Sequence, residues 1–318
     1  MNKKVTIIMY HYVRALNESR YPLIKGLDLK LFRNQIQFLK NKYNFISCND
    51  LIDSIEGKSD IPENSVLLTF DDGYIDHYTN VLPILLENDI KAFFSMPGKI
   101  LAEGKVLDVN KIHFILSSMK IEGLVQTLFE KLNYYRGTEF YIPSNLELYS
   151  KYAKPGRYDD KDTVFVKSLL QFALDEQLRN IITNDLFKEN VSSHEEAFSK
   201  ELYMSYDQIK MMKNLGMKFG IHGYDHYWLG NLSEDKMKAD ISKALDVFNN
   251  IIDPNNWIMC YPYGSNNKLI QKYIKDNGCK MAITTDIRIA DISKDNRFEL
   301  PRLDTNDFPP KSEDYKLR

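Results

Sequence analysis

VLLTFDDGYIDHY, residues Val66 to Tyr78, starts apolar and ends in charge. Val66, Leu67 and Leu68 run through Thr69 and Phe70 into two adjacent carboxylates, Asp71 and Asp72, and then Gly73. An apolar run without alternation reads as a strand buried on both faces, and the glycine marks a turn at its carboxyl end. Two like charges at that turn repel each other and lose water. Either one pKa is forced up or a cation sits nearby.

Outward from this stretch, strand and helix signals alternate. Val5–Tyr10 is strand-like, and a helix follows with Asp28 as N-cap and Phe32, Ile36, Leu39 and Tyr43 on one face. Asn44–Ser47 reads as a short strand, the helix NDLIDSI has Asn49 or Asp50 to cap it, Tyr78–Asn88 reads as a helix and Lys91–Met96 as a strand. This order predicts a parallel sheet or barrel. From Gly104 to about Lys200 the patterns are helical, with few strand-like runs. Alternation then resumes. Ser205 and Gln208 form a capping-box signature, KFGIHG (Lys218–Gly223) is a strand, Ser233 caps a helix, and WIMCYPYG (Trp257–Gly264) and KMAITT (Lys280–Thr285) are further strands. The polar tail from about Asp304 is expected to fray. The reading is an α/β chain in three stretches: 1–103, the first part of a barrel; 104–200, a helical insertion; 201–318, the second part and the tail.

The chain has 318 residues and 43% hydrophobic content, enough for a full core. Forty-two basic residues against forty-four acidic ones, with no basic segment, argue against nucleic acid as a partner. The N-terminal apolar run, Val5–Tyr10, is too short for a signal peptide, and no run approaches the ~20 residues of a membrane span. Cys48, Cys260 and Cys279 are odd in number and widely spaced, which favours reduced thiols and a cytoplasmic location.

About 150 residues past the aspartates, GIHGYDHYWLG places His222 and His226 at H-x-x-x-H spacing just after a strand. Two imidazoles and one carboxylate suit a divalent cation with positions left open, zinc by default and iron, cobalt or nickel as alternatives. Each motif alone is common. Together, each at the carboxyl end of a predicted parallel strand, they are far more specific, because α/β folds gather their active sites at that edge.

TFDDG, then HxxxH, then YPYG, in this order, resembles the polysaccharide deacetylases, carbohydrate esterases with a NodB-type domain. MYHYV (Met9–Val13) and LPRLD (Leu300–Asp304) resemble the branch with an N-terminal histidine motif. The resemblance covers roughly Val5–Lys99 and Tyr203–Asp307. It implies a distorted (β/α) barrel, a metal ion, and hydrolysis of an N-acetyl or similar amide on a sugar.

Carried over residue by residue, the resemblance makes Asp72, His222 and His226 the metal ligands and Asp71 the general base. The backbone N–H of Tyr263 becomes the oxyanion donor, and His11 is the candidate general acid for the leaving nitrogen. The family's arginine before the Pro-Tyr motif is missing: MCYPYG carries Cys260 there. Arg302 is the expected replacement, pairing with Asp71, and Asp304 is a candidate to tune His11. His77, His113 and His194 have no motif partner and read as structural.

The leading expectation is a metal-dependent carbohydrate N-deacetylase acting on a cytosolic nucleotide- or lipid-linked precursor of a surface glycan. Its insertion would shape the acceptor side or dock at a membrane face or a partner. Two alternatives stand beside it: a hydrolase of a non-sugar amide or N-formyl group, and a non-catalytic carbohydrate-binding relative. The latter would be favoured by loss of Asp71 or a ligand, and none is lost.

Overall fold

The computed structural model describes residues 3–318. They form two compact units. The residues up to Ala15, Gly26–Gly104 and Lys200–Arg318 make the first, and Leu16–Lys25 with Lys105–Ser199 make the second.

The first unit is built on a parallel sheet whose longer strands lie side by side in chain order: β1 (Lys4–Tyr10), β2 (Ser65–Phe70), β3 (Phe93–Met96), β4 (Lys218–Ile221), β5 (Trp257–Cys260) and β6 (Cys279–Ile283). Between them run α1 (Leu29–Lys40), α2 (Cys48–Ile55), α3 (Leu82–Glu87), α4 (Tyr206–Asn214), α5 (Glu234–Val247) and α6 (Lys268–Asp276). A short segment links the two ends of this sheet. Leu300 exchanges backbone hydrogen bonds with Ala282 and Thr284 at β6, while Leu303 and Asp304 pair with Ile8 and Met9 of β1. The sheet thus curls into a distorted barrel.

Side chains of a strand alternate between faces. On one face Val5, Ile7, Leu67, Phe93, Ile258, Met281 and Ile283 form one apolar cluster with Leu300. Gly220 of β4 belongs where two neighbours press closest: a Cβ there would lie 2.4 Å from the Ile258 carbonyl oxygen and 2.7 Å from the Phe93 ring. Asp71, Ser95, His222 and Cys260 continue this same face toward the carboxyl ends of their strands.

Local signals account for most boundaries. Asp28 caps α1, and Ser205 with Gln208 forms the capping box of α4. The cap of α2 is Ser47, boxed with Asp50, two or three residues before the expected Asn49 or Asp50. Ser233 stands at the N-cap of α5 without a side-chain cap bond. The expected helix over 78–88 begins instead as a π-turn, His77–Val81, before α3. The tail is not frayed at its start: Phe308 is fully buried, and Gln35 donates to the Thr305 carbonyl at 2.7 Å. Burial of one large aromatic outweighs the polar composition around it.

The second unit is helical, with Asp108–Ser118, Ile121–Tyr135, Asn145–Tyr152, Lys161–Ser168 and Glu176–Asn190 packing around Phe114, Leu128, Phe165 and Ile182. Leu16–Lys25 joins it through Tyr21, whose ring meets Phe114 edge-on at 4.9 Å and whose hydroxyl donates to the Val191 carbonyl. Among the described residues no helix is long and apolar enough to cross a membrane.

Candidate metal centre and active site

In-register parallel pairing brings distant motifs to one edge. Tyr10 lies opposite Phe70, so His11 and Asp71 leave the sheet together, and the Asp71 amide donates to the Tyr10 carbonyl at 3.0 Å. Met96 lies opposite Ile221, and the His222 amide donates to the Met96 carbonyl at 2.9 Å.

Asp72, His222 and His226 converge. Asp72 Oδ1 lies 3.6 Å from His222 Nε2 and 3.4 Å from His226 Nε2, and all three side chains are buried. These separations are too long for hydrogen bonds. They match two donors each ~2.1 Å from a tetrahedral cation, which lie ~3.4 Å apart. Asp72 Oδ1 has no hydrogen-bond partner among the described residues, while Oδ2 accepts from the Tyr74 hydroxyl at 2.6 Å. His222 Nδ1 lies 2.7 Å from the Cys260 carbonyl oxygen, which can only accept, so the proton is on Nδ1 and the Nε2 lone pair faces Asp72. Burial pushes the His222 imidazole down to about 4 despite the charge of Asp71, which leaves it neutral at pH 7. A buried carboxylate oxygen facing a neutral imidazole is a costly arrangement that a cation would resolve. The residues fit a divalent metal.

A second cluster overlaps the first: Asp71, His222 and Cys260. Here the cation is already built in. Arg302 binds Asp71 through both oxygens, Nη2 to Oδ2 at 2.8 Å and Nη1 to Oδ1 at 3.1 Å, with each side chain 1% exposed. Ser95 Oγ donates to Asp71 Oδ1 at 2.6 Å, and Cys260 Sγ approaches the same oxygen at 3.4 Å. Burial alone would raise the Asp71 pKa. The Arg302 guanidinium outweighs it and holds the carboxyl below its usual range. Burial raises the Cys260 thiol well above its ordinary value, so it stays protonated and donates rather than ligates.

Arg302 reaches this position because it lies on the closing segment between Leu300 and Leu303, where its Nε donates to the Thr284 carbonyl at 2.9 Å and its Nη1 to Thr69 Oγ1 at 3.1 Å. Cys260 and Arg302 therefore meet on one carboxylate, although 42 positions separate them in the chain. Asp304, by contrast, caps the next turn, its carboxylate accepting from the Asn306 amide at 2.8 Å.

His11 is half-buried and leaves the sheet beside Asp71. His77, assigned no site role from sequence, is fully buried and its Nε2 donates to the His11 carbonyl at 3.0 Å. Tyr263 adopts φ 57°, ψ 12° after Pro262; its ring meets His226 edge-on at 4.7 Å and stacks on Trp228 at 4.3 Å. Asp72 and His226 are also left-handed, at φ 72° and 57°. Such backbone costs of order 1–3 kcal/mol per residue and persists where the surroundings over-determine it. Ser95, His77 and the Cys260 thiol carry no local sequence signal, since each acts through a partner far away in the chain.

A sequence model of the polysaccharide deacetylase family matches residues 58–123 and 174–282. The Bacillus subtilis (strain 168) protein YxkH, provisionally named as a polysaccharide deacetylase, is 32% identical over 97 residues. That match spans 30% of this chain and 33% of the relative, about a third of its length. The solved Streptococcus pyogenes deacetylase PplD, in complex with acetate, superposes with a TM-score of 0.59 over 100% of this chain and 98% of its own, at 19% identity. IcaB from Ammonifex degensii superposes with a TM-score of 0.57 over 100% and 99%, at 16% identity. At these identities the likeness to the solved structures is one of fold.

Proposed function

This chain belongs to the polysaccharide deacetylase family, and on that premise we propose that it is a metal-dependent hydrolase removing an N-acetyl group from an amino sugar. The observation that carries the reading is the division of labour between adjacent aspartates. Asp72 presents an unpartnered oxygen to two imidazoles, while Asp71 is held ionised by Arg302.

Asp72, His222 and His226 would hold a divalent cation, zinc by default and iron, cobalt or nickel by donor type, which would supply Lewis-acid chemistry to the amide and its water. Asp71 accepts the water proton as oxygen adds to the carbonyl carbon. Its low pKa makes it a weak base, so its part is placement: Ser95 and Arg302 fix the carboxylate. The Tyr263 amide N–H donates to the developing oxyanion. His11 protonates the nitrogen as the C–N bond breaks, leaving acetate and a free amine. His77 holds the backbone from which His11 projects.

For the substrate we place the acyl group on a cytosolic nucleotide- or lipid-linked precursor. Cys48, Cys260 and Cys279 support this as free, buried thiols, suited to a reducing compartment. The test is acetate release from free, nucleotide-linked and lipid-linked N-acetyl amino sugars, with bound metal quantified and Asp71→Asn run alongside. Release that requires the metal and is lost in Asp71→Asn is expected. A fully metallated protein that releases no acetate from any of them would overturn the reading.

A further inference from the structure

The two histidine ligands are separated by a loop, Gly223–Tyr224–Asp225, held from outside the motif. Asp240, on α5, is 7% exposed, and its carboxylate faces this loop. Oδ1 accepts from the Tyr224 amide at 2.8 Å and Oδ2 from the Asp225 amide at 3.0 Å. The other side of the loop is tied to the β3 end, where the amides of Gly98 and Lys99 donate to the carbonyls of Gly223 and Tyr224, each at 3.0 Å. The Lys99 ammonium also pairs with Asp225. Gly223 sits at φ +68°, and a Cβ there would lie 2.8 Å from Asp240 Oδ1, so close approach of this carboxylate depends on the glycine.

This arrangement answers a question left by the ligands. His222 follows a strand and has its ring fixed by the Cys260 carbonyl. His226 lies beyond a turn, in a left-handed conformation, and its buried Nδ1 has no hydrogen-bond partner among the described residues. Its Nε2 faces Asp72 Oδ1 at 3.4 Å, too long for a hydrogen bond, so its place depends on the path of the loop. A carboxylate taking two consecutive amides fixes that path, because both N–H groups must point the same way.

We propose that Asp240 is a positioning residue for the metal centre, setting the distance between His222 and His226 through the backbone between them. The inference rests on the metal-centre reading above. Outer-shell partners of metal ligands commonly contribute 10- to 100-fold to affinity. Asparagine at 240 would present an N–H₂ to one of two amide donors, so one bond is replaced by a clash of like dipoles.

The experiment is a Co²⁺ titration of the metal-free full chain, read by the visible absorption of the bound ion, with folding followed by near-UV circular dichroism. The wild type should bind one Co²⁺ and His226→Ala should not; no binding by the wild type would sink the metal-centre reading itself. Given wild-type binding, Asp240→Asn and Gly223→Ala should each weaken affinity about tenfold or more and alter the spectrum. Ser242→Ala, on the same helix with its hydroxyl on Tyr273, should keep wild-type affinity and spectrum. Wild-type affinity in folded Asp240→Asn overturns the proposal. Should that variant not fold, Gly223→Ala decides by the same criterion.

Discussion

Arg302 and Asp71 form a two-pronged ion pair, 2.8 and 3.1 Å, at the carboxyl end of a barrel that the segment bearing Arg302 closes. The pair is desolvated on both sides, so removing one partner leaves a bare buried charge. Charge and closure are thereby joined in one residue.

Arg302→Met should therefore cost about 3–5 kcal/mol at pH 7, the range for breaking a buried pair. In the wild type the depressed Asp71 pKa contributes stability above the unfolded carboxylate range, lost as pH falls through the folded value. In the variant burial acts unopposed by Arg302, the Asp71 pKa moves up, and the deficit should shrink as pH is lowered and Asp71 protonates. Urea unfolding at pH 7 and pH 5 checks both; a variant as stable as wild type at pH 7 would contradict the account.

Metal should stabilise the fold as well as complete the site. At free zinc about 100 times its dissociation constant, mass action predicts about 2.7 kcal/mol relative to chelator-treated protein. Asp72→Ala and His226→Ala should lose that increment. Equal denaturation midpoints with and without metal in the wild type would count against the site.

His77 should impose an acid sensitivity of its own. Burial drives its pKa from 6.5 to about 4, with Nε2 committed to the His11 carbonyl and Nδ1 unpartnered among the described residues. Between those pH values the unfolded chain binds the proton and the folded chain does not. Stability falls as pH drops from 6.5 to 4, by about 1.4 kcal/mol per pH unit and about 3 kcal/mol in all. His222 behaves alike in metal-free protein, so the comparison is with His77→Gln under chelator. That variant should show a slope shallower by about one proton's worth; an unchanged slope would refute the assignment.

His11→Gln should lower kcat by about 10²–10⁴, the usual contribution of a general acid, with a smaller change in KM. Because the His11 side chain is only half-buried, unfolding should shift little. A kcat within a few-fold of wild type, with full metal loading, would remove His11 from the acid role.

The strand–helix alternation and the aspartate–histidine set could be read from the chain because their signals are local. An apolar run ending in DDG, an H-x-x-x-H after a strand and a capping box at Ser205 each fit within a few residues. Of what surrounds the set, Arg302 was readable through LPRLD, and most of the rest was not. Ser95 looks like one polar residue in an apolar strand, Asp240 like one charge on an amphipathic helix, and Tyr21 like part of an irregular loop. Their meaning lies in partners 24, 15 and 93 positions away, respectively Asp71, Asp225 and Phe114.

Local residue order dictates which backbone conformations are cheap and which faces are apolar, and that was enough to fix the strands, their carboxyl-end turns and the residue types delivered there. Curling the sheet then brought Arg302 onto Asp71, His77 beneath His11 and Asp240 behind the ligand loop. Those pairings arise only when burial removes water and each remaining polar group must find a protein partner.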